Sequence, residues 1–158
     1  MEIVLAYDRK EEAAKLVQEY IASVMAHGAE EKSTFNVQNI THELHDLETK
    51  YGLPDGRMYL ALVDDKIVGC AALKKTDADY CELKRLYVRP PYRGQHISKA
   101  LVEKIIVAAR EVGYRHMRLD TFPFMEPALK LYRELGFYEI AKYNTNPAPS
   151  AIFMQLDL

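Results

Sequence analysis

The chain is poor in the features that most binding and targeting signals need. Of its 158 residues only Cys70 and Cys81 are cysteine, and they lack the CxxC spacing of zinc or redox sites. Both fall in segments that read as strands, so buried, reduced thiols are expected. His42 and His45 lie three apart on a helical pattern, but no cysteine or second pair completes a ligand set, and no metal is expected. No apolar run approaches the roughly 18 residues of a membrane helix, and Met1-Glu2-Ile3-Val4 carries no basic leader region. These two absences predict a cytoplasmic protein with no membrane partner. The net charge of -2 argues against nucleic acid as a partner, because such binding draws on clustered cations. Neither GxGxxG nor a Gly-Lys-Ser/Thr loop is present, which weakens a nucleotide-binding reading. Repeats, low-complexity tracts and Pro/Ser-rich linkers are also missing, so residues 1–158 read as one domain. At this length about two thirds of the unfolded surface can be buried, enough for a core without disulfides or metals.

What is present is an alternation of strand and helix patterns. Ile3 to Tyr7 is a short apolar run suited to a strand, and Glu11 to Val24 carries apolar residues at helical spacing. Residues 30 to 51 are polar, with a second, weak helical pattern through Ile40, Leu44 and Leu47. Met58 to Val63 and Lys66 to Leu73 flank Asp64-Asp65, a pair suited to a tight hairpin. Tyr80 to Val88 reads as a third strand, ended by Pro90-Pro91. Ile97 to Val112 has a helical stripe of Leu101, Ile105, Ala108 and Val112, stopped by Gly113. His116 to Asp120 is a strand, Pro127 to Leu135 a helix, and Phe137 to Ile140 and Ile152 to Leu156 are the last strands. This order implies a mixed α/β (α+β) fold: a largely antiparallel sheet of six to seven strands, one central parallel crossing, and helices on both faces.

Charge is unevenly spread. Residues 83 to 118 hold nine Lys and Arg against Glu103 and Glu111, a local excess of seven positive charges. Within that stretch, Arg89-Pro90-Pro91-Tyr92-Arg93-Gly94-Gln95-His96-Ile97-Ser98-Lys99 turns from strand into helix. The backbone N–H groups of Arg93 to Ser98 would then point outward, unpaired, at the positive end of the helix dipole. That geometry suits a diphosphate, and Gly94 would let the turn approach it closely. A helix that begins near a glycine and binds nothing is the plainer alternative for this segment taken alone.

Joined to Leu131-Tyr132-Arg133-Glu134-Leu135-Gly136-Phe137 downstream, the segment resembles the GNAT superfamily of N-acetyltransferases. The resemblance covers most of residues 58 to 158 and extends weakly to the first strand and helix. It implies acetyl-coenzyme A as co-substrate and a primary amine, on a small molecule or peptide, as acceptor. The family's turn pattern Arg/Gln-x-x-Gly-x-Gly/Ala falls on Arg93, His96 and Ser98, so coenzyme binding is expected along Arg93, Gly94, Gln95, His96, Ile97, Ser98 and Lys99. The backbone of Leu86, Tyr87 and Val88 is expected to pair with the pantetheine amides. Tyr132 corresponds to the tyrosine that protonates the departing thiolate; a phenol with a pKa near ~10 stays protonated at neutral pH. Many relatives pair through C-terminal strands, which implies a homodimer.

Three positions depart from the family pattern: His96 and Ser98 stand where small residues are usual, and Met125 where an asparagine is common. His96 and Met125 motivate a second reading, a non-catalytic acyl-coenzyme A binding or sensing module. Removal of the acceptor's proton needs a base, directly or through water. Glu82, six residues before Val88 on the same strand, is the candidate by resemblance, since a carboxylate there in the family often faces the acceptor pocket, with ion pairing to a neighbour such as Lys84 as its structural alternative. For Tyr132 that alternative is a packed core tyrosine. The segments Thr121 to Met125 and Tyr143 to Asn146 follow strands that should end near the reaction centre, where they shape the acceptor pocket or simply pack. Residues 8 to 50 hold nine acidic against five basic residues, and because this region often borders the acceptor in the family, the resemblance suggests a cationic acceptor.

Overall fold

The structure, a computed structural model, describes residues 1–158 apart from the side chains of Val37 and Gln38. Strand β1 (Glu2–Leu5) leads into helix α1 (Lys10–Met25), where Ala13, Leu16, Val17, Ile21 and Val24 recur every three or four residues and are all buried. Where the sequence pattern suggested a single weak helix there are three short ones, α2 (Ala29–Ser33), α3 (Val37–His45) and α4 (Leu47–Tyr51). Local capping explains the breaks. Asn36 Oδ1 accepts from the Asn39 N–H at 3.2 Å, and Asp46 Oδ1 from the Thr49 N–H at 3.2 Å, so each side chain satisfies a donor that a continuous helix would have paired.

Strands β2 (Arg57–Val63) and β3 (Lys66–Lys75) form a hairpin whose turn residues Asp64 and Asp65 have φ of 49° and 61°. Aspartate tolerates this left-handed conformation, which matches the twist of a two-residue hairpin. Strand β4 (Tyr80–Val88) runs through a 3₁₀ turn at Pro90–Tyr92 into α5 (Ile97–Val112). Strand β5 (His116–Thr121), helix α6 (Glu126–Glu134), and strands β6 (Tyr138–Ile140) and β7 (Ile152–Asp157) complete the chain. The sheet order is β1-β2-β3-β4-β5-β7-β6. All neighbours are antiparallel except β4 and β5, which the α5 crossover makes parallel.

Alternating sheet side chains feed a core on each face. Ala61, Leu73, Leu83 and Leu119 pack with Leu101 and Ile105 of α5 and Leu129 of α6. Met58, Leu60, Cys70 and Ala72 pack with Leu16 and Val17 of α1 and with Leu47 and Tyr51 of α4. Each fully buried Leu or Ile contributes on the order of 2 kcal/mol. The mixed α/β architecture, a mostly antiparallel seven-stranded sheet with helices on both faces, is the one expected. Cys70 and Cys81 are free and buried, and burial pushes both thiols up to about 12. Among the described residues no helix is long and apolar enough to cross a membrane, and no group of three or more His, Cys, Asp and Glu is placed to hold a metal.

Candidate active site

The site begins at an irregularity in β4. Ala72 pairs with Lys84 and Cys70 with Tyr87, so β4 has one residue more than β3 over this interval. The result is a β-bulge, with Arg85 at φ 58°. Parallel pairing of β4 with β5 is confined to Tyr80–Glu82 against His116–Arg118. Beyond that point the strands diverge. Leu83, Lys84, Arg85 and Leu86 line one side of the resulting cleft and Leu119, Asp120 and Thr121 the other, with Met125 and Tyr132 at the α6 end.

Tyr132 is both core and cleft residue. It is 6% exposed and its ring lies 5.6 Å from that of Phe137, yet its hydroxyl makes no hydrogen bond among the described residues. Burial pushes the phenol well above its ordinary pKa, so the group is a proton donor throughout the neutral range.

At the far end of β4 lies the turn into α5. The Arg93 N–H bonds to Pro90 O at 3.2 Å, so it does not belong to the outward-pointing row expected from the sequence. The row instead runs from Gly94 to Lys99, where no backbone N–H has an acceptor among the described residues. Its shape comes from two left-handed residues, Gly94 at φ 78° and His96 at φ 62°. Histidine is one of the few side chains that enter this region readily, so a Cβ at position 96 leaves the turn intact. The expected coenzyme residues differ in what they present. Ile97 and Val88 are 3% and 4% exposed and bury their side chains in the core, leaving only backbone groups. Gln95, His96 and Lys99 are exposed. The Arg93 side chain turns back, its Nε bonding Val88 O at 2.9 Å and its guanidinium lying 5.7 Å from the Tyr87 ring. Leu86 borders the cleft, whereas Tyr87 packs on the α1 face against Tyr20.

On that α1 face a cavity of about 390 Å³ adjoins the cleft. Tyr20, Lys84, Arg85, Asp120 and Thr121 border both spaces. Glu82 borders the cavity only; it accepts a hydrogen bond from Tyr143 Oη at 2.9 Å and lies 3.7 Å from Lys84 Nζ. It is therefore both ion-paired and cavity-facing. Thr121, Phe122, Asn144, Thr145 and Asn146 also line the cavity, so both of these loops border it.

Sequence reasoning missed three features here. The Arg85 guanidinium bonds Glu43 at 2.7 and 2.9 Å, with the rings of Tyr20 and Phe35 centred 5.9 and 5.5 Å from its carbon, and Lys50 adds a 2.8 Å contact to the same carboxylate. Burial alone would raise the Glu43 carboxyl, but the Arg85 and Lys50 hydrogen bonds outweigh it and hold the group at about 2. Asp120 Oδ2 accepts from Asn144 Nδ2 at 3.0 Å and Asn146 Nδ2 at 3.1 Å, while Oδ1 makes no hydrogen bond among the described residues. Burial acts to raise its pKa, yet Lys84 and the two amides bring it below its ordinary value. The third feature is Lys74, which borders the cavity without a hydrogen bond or ion pair among the described residues. Only the Asp at the end of a strand carried any signal in sequence; the Glu43–Arg85 pair joins positions 42 apart with no motif to mark it.

The sequence model of the acetyltransferase (GNAT) family matches residues 29–137, more than half of the chain. An uncharacterized N-acetyltransferase of Schizosaccharomyces pombe is 37% identical over 145 residues, spanning 90% of this chain and 85% of the relative. Among solved structures, an acetyltransferase from Streptococcus agalactiae superposes with a TM-score of 0.81 at 22% identity, covering 99% of this chain and 98% of that one. A GNAT family acetyltransferase from Elizabethkingia anophelis, solved with acetyl-CoA bound, gives a TM-score of 0.61 at 20% identity over 78% of this chain and 84% of that one. With the splayed β4–β5 pair and the free amide row in place, these matches make the chain a member of the GNAT family and an N-acetyltransferase.

Proposed function

We propose that the chain transfers the acetyl group of acetyl-coenzyme A to a primary amine of a small molecule or peptide by direct attack on the thioester. The observation that carries this reading is the pairing of a free amide row at one end of β4 with a free Tyr132 hydroxyl in the cleft beside it. The residues fit the coenzyme: residues 93–99 contain no carboxylate, and the row lies at the positive end of a 16-residue helix. Bound acetyl-coenzyme A supplies an acyl carbon activated as a thioester.

The amides of Gly94 to Lys99 hold the diphosphate, and Leu86, Tyr87 and Val88 supply backbone groups for the pantetheine arm. Val88 does so through what remains after Arg93 has taken its carbonyl. Asp120, ionised and shared by cleft and cavity, holds the acceptor's ammonium where the two spaces meet. Glu82 takes the proton the amine must lose, directly or through water. Tyr132 gives its Oη proton to the departing sulfur and recovers one from the acylated nitrogen, so that one C–N bond forms as one C–S bond breaks, and of the two protons the ammonium loses one leaves through Glu82 and one replaces that given to sulfur.

The test is steady-state thiol release with an amine panel. Tyr132→Phe should lower kcat by ~100-fold or more with little change in KM for acetyl-coenzyme A, the pattern of a group that acts in the transition state. Full turnover in that variant would remove Tyr132 from the mechanism.

A further inference from the structure

The chemistry of the acceptor is written in the charges around the cavity. Lys50, Lys74, Lys84 and Arg85 border it, against Glu43, Glu82 and Asp120. Arg85 and Glu43 neutralise one another through two hydrogen bonds, and Lys50 shares the same carboxylate. Glu82 is matched by Lys84 at 3.7 Å, and Asp120 is held by neutral amides. What is left over is positive. Lys74 is half-buried and has no carboxylate within ion-pair distance among the described residues. It sits on the cavity side of β3, directly across from Glu82 in the strand register. Burial, together with the like charges of Lys50 and Lys84, pushes its ammonium below its ordinary pKa, with Glu82 the main opposing influence. Three ammonium groups thus border a space in which Glu43 is fully engaged, while Glu82 and Asp120 each keep one oxygen without a hydrogen bond among the described residues.

The acidic excess of residues 8 to 50, which suggested a cationic acceptor, does not reach this space. Of those nine acidic residues only Glu43 borders the cavity, and it is fully paired. An acceptor with additional positive charge would enter a wall already one cation in excess. A carboxylate would restore what the partly desolvated Lys74 lost on burial.

We infer that the acceptor is an amino acid-like zwitterion, its ammonium placed against Asp120 and its carboxylate held by Lys74 with Lys50 and Lys84. This rests on the acetyl-transfer reading above and adds the substrate class. The Tyr20, Phe35, Ile40 and Phe122 side chains supply an apolar portion of the wall for the body of such a molecule.

The experiment is thiol release from acetyl-coenzyme A with matched trios: an amino acid, its carboxamide, and the amine that remains when the carboxylate is removed. The amino acid should exceed both partners in kcat/KM by about tenfold or more, the worth of one charge-assisted contact. Lys74→Met should abolish that preference by raising KM for the amino acid while leaving the carboxamide unchanged, and Lys74→Arg should retain it. Thermal unfolding of both variants separates loss of the contact from loss of the fold. Carboxamides, simple amines or polyamines equal to or better than the amino acids would overturn the inference while leaving acetyl transfer standing. The inference also falls if Lys74→Met lowers all three members equally. Thiol release with no amine in the panel, with acetyl-coenzyme A bound, would overturn the acetyl-transfer reading and this one with it.

Discussion

The two regions that meet at the β4–β5 cleft are built from different parts of the chain. From Gly94 to Lys99 the binding groups are main-chain N–H donors, set by a turn and a helix start within a few consecutive residues. Side chains there are free to vary, provided the left-handed positions are filled by residues that accept them, and His96 is such a residue. Across β4, the cavity wall is made of side chains from β3, β4, β5, the α1–α4 segment and the loop before β7. Its shape depends on contacts such as Glu43–Arg85 between distant positions. The lesson is that a ligand common to many proteins can be held by local backbone geometry, whereas a particular ligand is selected by long-range side-chain placement.

The sharpest way to break this contrast is at Glu43. Glu43→Ala leaves the Arg85 guanidinium buried and unpaired, which should cost about 3–5 kcal/mol of stability. Urea denaturation would measure that loss, and the KM for the acceptor should rise while the affinity for coenzyme A holds. Loss of coenzyme affinity in a folded Glu43 variant would show that the two regions are not independent.

A smaller effect follows from pH. The Glu43 carboxyl titrates near 4.5 when free and at about 2 in the folded chain, so its ionised form is favoured by folding. The stabilisation is complete above pH 4.5 and disappears as pH falls toward 2, in total on the order of 3 kcal/mol. Denaturation midpoints followed down this range in the wild type and in Glu43→Gln should converge at the acid end.

The smallest effect belongs to the other region. His96→Gly removes a side chain from a left-handed position but adds backbone freedom to the unfolded chain, and these offset one another to within about 1 kcal/mol. Calorimetry should find coenzyme A affinity within about twofold of wild type. A large loss would mean that the imidazole, not the amide row, carries the phosphates.

The same contrast explains what could be read from sequence. The strands, α1, α5 and α6 follow from apolar periodicity, and the Asp64-Asp65 hairpin from its need for two positive φ angles. The turn after β4 was legible because its elements are adjacent in sequence; only the exact donors shifted, from 93–98 to 94–99, once Arg93 paired with Pro90. The α2–α4 region was misread as one helix because Asn36 and Asp46 interrupt it through side-chain caps that a hydrophobic pattern does not register. The cavity was least legible. Net charge over residues 8 to 50 does not describe the cavity wall, because charge counted along a chain ignores which side chains face solvent and which face the cavity.

The most direct measurement is an amide ¹H–¹⁵N spectrum of the chain titrated with coenzyme A. The largest downfield shifts should fall on the N–H groups of Gly94 to Lys99, with little movement at Lys74 and Glu43. Saturation with those six resonances unmoved, and shifts clustered instead around the cavity, would contradict a coenzyme held by the amides of this turn.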